Sequence, residues 1–177
     1  LDVYLGGGRS RLCSVMCGMG WDAAMMGASE ELKRRVGWGA YAIEGVRHAS
    51  RRPMRLRLAV DGGAPRSLYV RTVLVANVGT LVGGIDLIPE ASSVDVLLDV
   101  LVIDPSTPWD WMRTTGGILR GRGAAGDPSR THLRGREVVV SATTRHERQV
   151  DGDPVDDGYG FRVVVRPQAL RVRVPRG

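Results

Sequence analysis

Apolar and polar positions along the chain follow two different periods. From Met54 the period is two: Leu56, Leu58 and Val60 are apolar, and Arg55 and Arg57 between them are charged. Such alternation predicts a strand with one buried face. Asp61-Gly62-Gly63-Ala64-Pro65 is turn chemistry, and residues 67–77 resume a β-branched run, so the two segments read as a hairpin. Residues 97–103 are almost continuously apolar, which predicts a strand buried on both faces. Residues 11–18 read as another strand, after which Gly18-Met19-Gly20 turns the chain. Short strands are expected at 137–142, 147–150, 159–166 and 170–174. Residues 21–48 instead carry a helical pattern. Ala23, Ala24 and Met26 to Ala28 form its apolar face, Glu30, Glu31, Lys33, Arg34 and Arg35 its solvated one, and Gly37-Trp38-Gly39 a break. The reading is one mainly-β domain over residues 1–177. It is a β-sandwich with a helical segment near the N-terminus and one short helix around 109–119.

Composition adds little to the fold and something to the surface. The 177 residues suffice for one domain with a real core, and 43% hydrophobic content fits a folded chain rather than a disordered one. No apolar run approaches the ~20 residues of a membrane-spanning helix. The first residue is Leu1 and no signal pattern follows, so a cut boundary is expected there. Net charge is +6, and only Lys33 among the 25 basic residues is lysine. The arginine excess reads either as codon bias or as a surface that attracts phosphate, anionic lipid or nucleic acid. Cys13 and Cys17 lie too far apart along a strand to bond easily. No partner at metal-binding spacing accompanies them, so buried free thiols in a reducing cytoplasm are expected. His48, His132 and His146 show no metal or triad spacing. The glycine-rich stretch 79–84 lacks the Lys-Ser/Thr of a phosphate loop and reads as close backbone packing at a sheet edge. Trp109 and Met112 read as packing a helix onto the sandwich, although tryptophans near Arg113, Arg120 and Arg122 also suit a membrane interface.

Two acidic segments carry the candidate chemistry. Gln149-Val150-Asp151-Gly152-Asp153-Pro154 is a tight turn that would hold a carboxylate rigidly, with Gly152 allowing close approach. The bland reading is a plain hairpin, and Asp61-Gly62 is the same dipeptide in an ordinary one. The other segment runs from Gly83-Gly84-Ile85-Asp86-Leu87-Ile88-Pro89-Glu90-Ala91 through Asp95 to Asp99. There Asp95 reads either as a turn cap before a buried strand or as a ligand, and Asp99 as structural.

These markers, with Gly18-Met19-Gly20-Trp21-Asp22-Ala23, Asn77, Pro89 and Ala91 in that order, resemble the C-terminal domain of the diacylglycerol kinase-like lipid kinases, the bacterial lipid kinase and sphingosine kinase superfamily. The resemblance covers nearly the whole chain. It implies that Asp151 is the general base taking the proton from a lipid hydroxyl, and that Asp153 stands where the family has Glu. It also implies a structural Mg²⁺ held by Ser92, Asp95 and the main-chain carbonyl of Leu97, although Val96 replaces the family's Gly. The family's Gly-Gly-Asp-Gly-Thr nucleotide motif does not occur in this sequence. The resemblance therefore implies a lipid-substrate domain, inactive alone, whose parent enzyme uses ATP and Mg²⁺. The partners implied are a lipid alcohol such as diacylglycerol, an anionic membrane surface, the N-terminal domain of the same protein and a second copy in a homodimer. The location implied is cytoplasmic, peripheral at the inner membrane face. No specific nucleic acid is expected. Two alternatives are a non-catalytic basic β domain that binds nucleic acid or another polyanion, and a nucleotide kinase of the NAD kinase plan.

Overall fold

The computed structural model describes residues 1–20, 53–81, 85–104, 107, 110 and 130–170. The helical segment expected at 21–48 and, after Leu170, the strand expected at 170–174 lie outside them, as does the helix expected around 109–119 apart from its opening. That opening is a reciprocal cap. Thr107 Oγ1 accepts from the Asp110 amide (3.1 Å), and the Asp110 carboxylate accepts from the Thr107 amide (3.0 Å) and hydroxyl (2.8 Å). Such a reciprocal pair is how helices start.

Twelve strands are described. They are β1 (Asp2–Gly6), β2 (Arg9–Leu12), β3 (Met16–Gly20), β4 (Met54–Val60), β5 (Arg66–Val70) and β6 (Thr72–Ala76), then β7 (Thr80–Leu81), β8 (Ile85–Asp86), β9 (Leu98–Ile103), β10 (Arg130–Gly135), β11 (Glu137–Val150) and β12 (Asp153–Val164). Every pairing is antiparallel. β7 and β8 form a small ribbon of their own, and the other ten belong to one sheet.

The long hairpin of β11 and β12 makes that sheet a sandwich. The first half of β11 pairs with β4 through residues Val138 to Ala142, and its last residues, Arg148 to Val150, pair with β3. Between them the register with β12 shifts twice, around His146. Such bulges bend strands. One leaf is β5-β4-β11-β12-β1-β2, and the other is β10-β9-β6-β3-β11-β12.

The main core lies between the leaves. Met54, Leu56, Leu58, Val138, Val140, Phe161 and Val163 come from the first, and Cys17, Met19, Val73, Val75, Leu98, Val100 and Val102 from the second. The period-two reading of β4 holds, since its buried positions are Met54, Leu56 and Leu58 with exposed Arg55 and Arg57 between. β9 is buried throughout, as its continuous apolar run predicts. A second cluster of Met16, Leu74, Ala76, Leu101 and Ile103 covers the outer face of the second leaf, under Leu87 and Ile88.

Several boundaries differ from the sequence reading. Residues 11–18 are not one strand: the chain breaks at Cys13 to Val15, and Gly18-Met19-Gly20 continues β3 rather than turning. Residues 67–77 divide at Arg71, whose guanidinium donates to Asp104 Oδ1 at 2.7 Å. The strands expected at 137–142 and 147–150 are one bulged strand. β1 and β10 carry mixed polar sequences on partly solvated strands and give no clean alternation. Both cysteines are buried and outside any disulfide, Cys13 in the break after β2 and Cys17 on β3. No helix among the described residues is long and apolar enough to cross a membrane.

Gly79 confirms close backbone packing in the described part of the glycine stretch. A Cβ built there would lie 1.8 Å from the Ile88 carbonyl oxygen. The Gly79 carbonyl also accepts from the Leu87 and Ile88 amides at 2.9 and 3.1 Å. The clash is with backbone fixed by those bonds, so Gly79→Ala is expected to lower stability by roughly 2–4 kcal/mol, as overpacking against rigid structure does. Chemical denaturation of the two proteins measures it, and an unchanged midpoint would show that the 79–88 contact yields freely.

Candidate functional site

The turn between β11 and β12 is tied to the break between β2 and β3, and one carboxylate makes most of the connection. Asp151 Oδ1 accepts from the Val15 amide (2.8 Å), the Met16 amide (3.1 Å) and the Cys13 thiol (3.1 Å), and Oδ2 accepts from the Ser14 amide (2.7 Å). The Asp151 amide in turn donates to the Met16 carbonyl at 2.8 Å. The residue adopts φ 52 and Gly152 φ 90, a left-handed pair that Asp-Gly tolerates. The Gly152 amide donates to Oε1 of Gln149, a buried side chain.

The same break is held from its other side by Asn77. Its Nδ2 donates to the Ser14 carbonyl (3.1 Å) and its amide to the Val15 carbonyl (2.8 Å). Asn77, Ser14, Asp151 and Gly152 thus converge at one end of the second leaf. Asp153, the second catalytic candidate, is exposed at the first position of β12, opposite Val150. Cys13, Ser14 and Val15 were not expected here. The consecutive apolar residues Val15, Met16 and Cys17 break the period of two, and that was the available signal for a turn.

Burial alone would push the Asp151 carboxyl up. The Ser14 and Val15 amides, the Cys13 thiol and the Met16 amide together outweigh it and hold the group below its ordinary value. The carboxylate is therefore ionised under any ordinary condition. Because the folded value is depressed, the stabilisation is fully present above the unfolded value of ~3.9 and is lost as pH falls through the folded one. The stability gap between wild type and Asp151→Asn should accordingly narrow on acidification below that value. Thermal unfolding across the acid range checks this, and a gap independent of pH would contradict it.

Asp61 is a near copy. It has φ 51, its amide donates to the Glu137 carbonyl (2.9 Å), and its Oδ1 accepts from the Arg136 and Glu137 amides (2.7 and 2.8 Å). Both Asp-Gly turns therefore pin the start of a neighbouring strand. They differ in that Asp151 uses both oxygens and gathers four donors.

The residues implied for Mg²⁺ lie in the turn before β9, where both carboxylate oxygens of Asp95 already have protein partners. Asp95 Oδ1 accepts from the Leu97 amide (3.0 Å), a turn cap, and Oδ2 is ion-paired with Arg134. Ser92 Oγ faces the Val94 amide at 3.5 Å. Among the described residues no group of three or more His, Cys, Asp or Glu side chains is placed to hold a metal ion.

Residues 14–174 match the family model described as the YegS C-terminal NAD kinase β-sandwich-like domain. The chain belongs to this family. Its fold is also that of a diacylglycerol kinase from Bacillus anthracis str. Sterne, at TM-score 0.57 and 15% identity, covering 94% of this chain and 50% of that one. Two further structures from the same organism, provisionally assigned the same activity, match at TM-scores of 0.67 and 0.62 with 17% and 18% identity, each over 94% of this chain and over 53% and 54% of theirs. The chain thus spans about half the length of the structures it matches. No curated protein matches it in sequence. The chain is thus a YegS-type C-terminal β-sandwich domain, with the fold of the corresponding half of those structures.

Proposed function

We propose that this domain binds the lipid substrate of an ATP-dependent lipid kinase, with Asp151 facing the hydroxyl to be phosphorylated. The carrying observation is the state of its Oδ2. Among the described residues Oδ2 accepts one hydrogen bond, from the Ser14 amide, whereas Oδ1 accepts three. The less occupied oxygen would accept a lipid hydroxyl, on an exposed turn held by both neighbouring segments. Phosphoryl transfer asks chiefly for positioning, and this anchored carboxylate supplies it. It would orient the hydroxyl and take its proton as the oxygen attacks. Its depressed basicity suits late proton transfer better than abstraction beforehand. Asp153 adds negative charge beside it.

ATP and its Mg²⁺ would be held by another domain of the full-length protein, so this chain by itself would be inactive. The lipid is most simply diacylglycerol. A basic surface would favour a peripheral position at an anionic membrane of the cytoplasm. Transfer of labelled γ-phosphate by the full-length protein, across diacylglycerol, sphingoid bases and ceramide in mixed micelles, tests the reading. Incorporation into one of them supports it. Folded protein that labels none, or that labels a nucleotide instead, rejects it.

One observation favours a second reading, polyanion binding. On the outer face of the first leaf, Arg55 lies over the Tyr69 ring (5.9 Å) and Arg162 over the Tyr4 ring (5.2 Å), with both tyrosines exposed. Binding to single-stranded nucleic acid with a steep salt dependence, lost in Tyr69→Ser, would support that reading.

A further inference from the structure

An arginine, Arg134, pairs with Asp95, the one carboxylate among the residues through which the resemblance puts a structural cation. β9 and β10 are antiparallel with Arg134 opposite Asp99 and His132 opposite Leu101. Arg134, Asp99 and His132 therefore project from one face of the sheet. Asp99 is fully buried. Its Oδ1 receives Arg134 Nε at 3.1 Å and lies 2.8 Å from His132 Nε2. The other arm of the same guanidinium pairs with Asp95. Asp95 closes its own turn through the Leu97 amide, and Val96 is held at φ 62. A β-branched residue adopts that conformation only when its surroundings impose it.

We infer that Arg134 replaces the divalent cation in this chain, bridging Asp95 and Asp99 so that the turn before β9 is fixed without metal. The planar guanidinium is always charged and offers forked donors, which suits two carboxylates at different depths. Mg²⁺ instead demands six oxygens at ~2.0–2.1 Å in octahedral array. Here three of the four acidic oxygens already have partners, and the fourth, Asp99 Oδ2, is a single buried oxygen without one. An incoming cation would also meet a fixed positive charge, and displacing Arg134 would leave it without the buried Asp99.

Thermal unfolding of the purified protein without nucleotide, in EDTA and in millimolar MgCl₂, tests the inference with no need for kinase activity. The wild type should unfold at one temperature in both. Arg134→Met should unfold about 5 °C lower in both, because Asp99 keeps its buried charge and loses its main cation. Arg134→Lys, which keeps the charge and loses the fork, should fall between. Calorimetric titration of the wild type with MgCl₂ should give no saturable heat, and this decides the matter even if Arg134→Met does not fold. Stabilisation of the wild type by Mg²⁺, a saturable isotherm, or an Arg134→Met midpoint equal to wild type would overturn the inference.

Discussion

Arg148→Met is expected to destabilise the domain by about 3–5 kcal/mol, the range for leaving buried polar groups without their charged partner. Arg148 sits on β11 just past the second register shift, and it is buried. Its Nε and Nη2 donate to the Asp156 carbonyl (2.9 and 2.6 Å), and its Nη1 donates to the Leu5 and Gly160 carbonyls (2.9 and 2.7 Å). The guanidinium thus laces β1 and both sides of the bulged part of β12 where the sheet passes from one leaf to the other. Gly158 leaves the space it needs, for a Cβ there would come within 2.3 Å of the guanidinium carbon. Methionine matches the volume of the stem but satisfies none of those carbonyls. Urea denaturation gives the difference. A loss under about 1 kcal/mol would mean that water satisfies the bend as well as Arg148 does.

What the sequence revealed follows from where the physics is local. β4 and β9 were legible because burial of one face or two writes a period into a few residues. The sandwich followed from the many short strands. The path of the sheet was not legible. Nothing in the sequence around His146 announces that β11 serves both leaves, because that depends on which strands pair along it. The β1 strand escaped because Gly6, Gly7 and Gly8 outweighed its short apolar pattern, and β10 because Arg130, Arg134 and His132 look like a solvated loop until Asp99 is placed opposite. The candidate site was half legible. The Asp151-Gly152 turn and Asn77 were visible as markers, but the Cys13 to Val15 segment that both of them grip lies far off in sequence. The cation at Asp95 was expected from resemblance, and only the strand register brings Arg134 there.

In the full-length protein, Asp151→Asn is expected to lower turnover at least ~100-fold, the low end for loss of a general base and about 2.7 kcal/mol of barrier. The same change also disturbs the turn. Asparagine replaces one acceptor oxygen with an NH₂, and whichever way the amide points, an N–H donor of Cys13 to Met16 loses its acceptor. A cost of roughly 1–3 kcal/mol in stability is therefore expected as well. Asp61→Asn is the matched control, since its carbonyl oxygen can keep both the Arg136 and Glu137 amides. It alters an identical dipeptide at the other turn without touching the proposed chemistry. A loss falling on kcat, with KM little changed, would mark an interaction made in the transition state rather than a loosened lipid site.

The most direct test of Asp151 as the group that faces the lipid hydroxyl is this pair of turnover numbers. They should be measured with the best lipid alcohol and saturating ATP, on variants shown by circular dichroism to be folded at the assay temperature. The account predicts near wild-type turnover for Asp61→Asn and at least a ~100-fold loss for folded Asp151→Asn. Equal turnover in the two variants would contradict it and leave Asp151, like Asp61, as a clasp between strands.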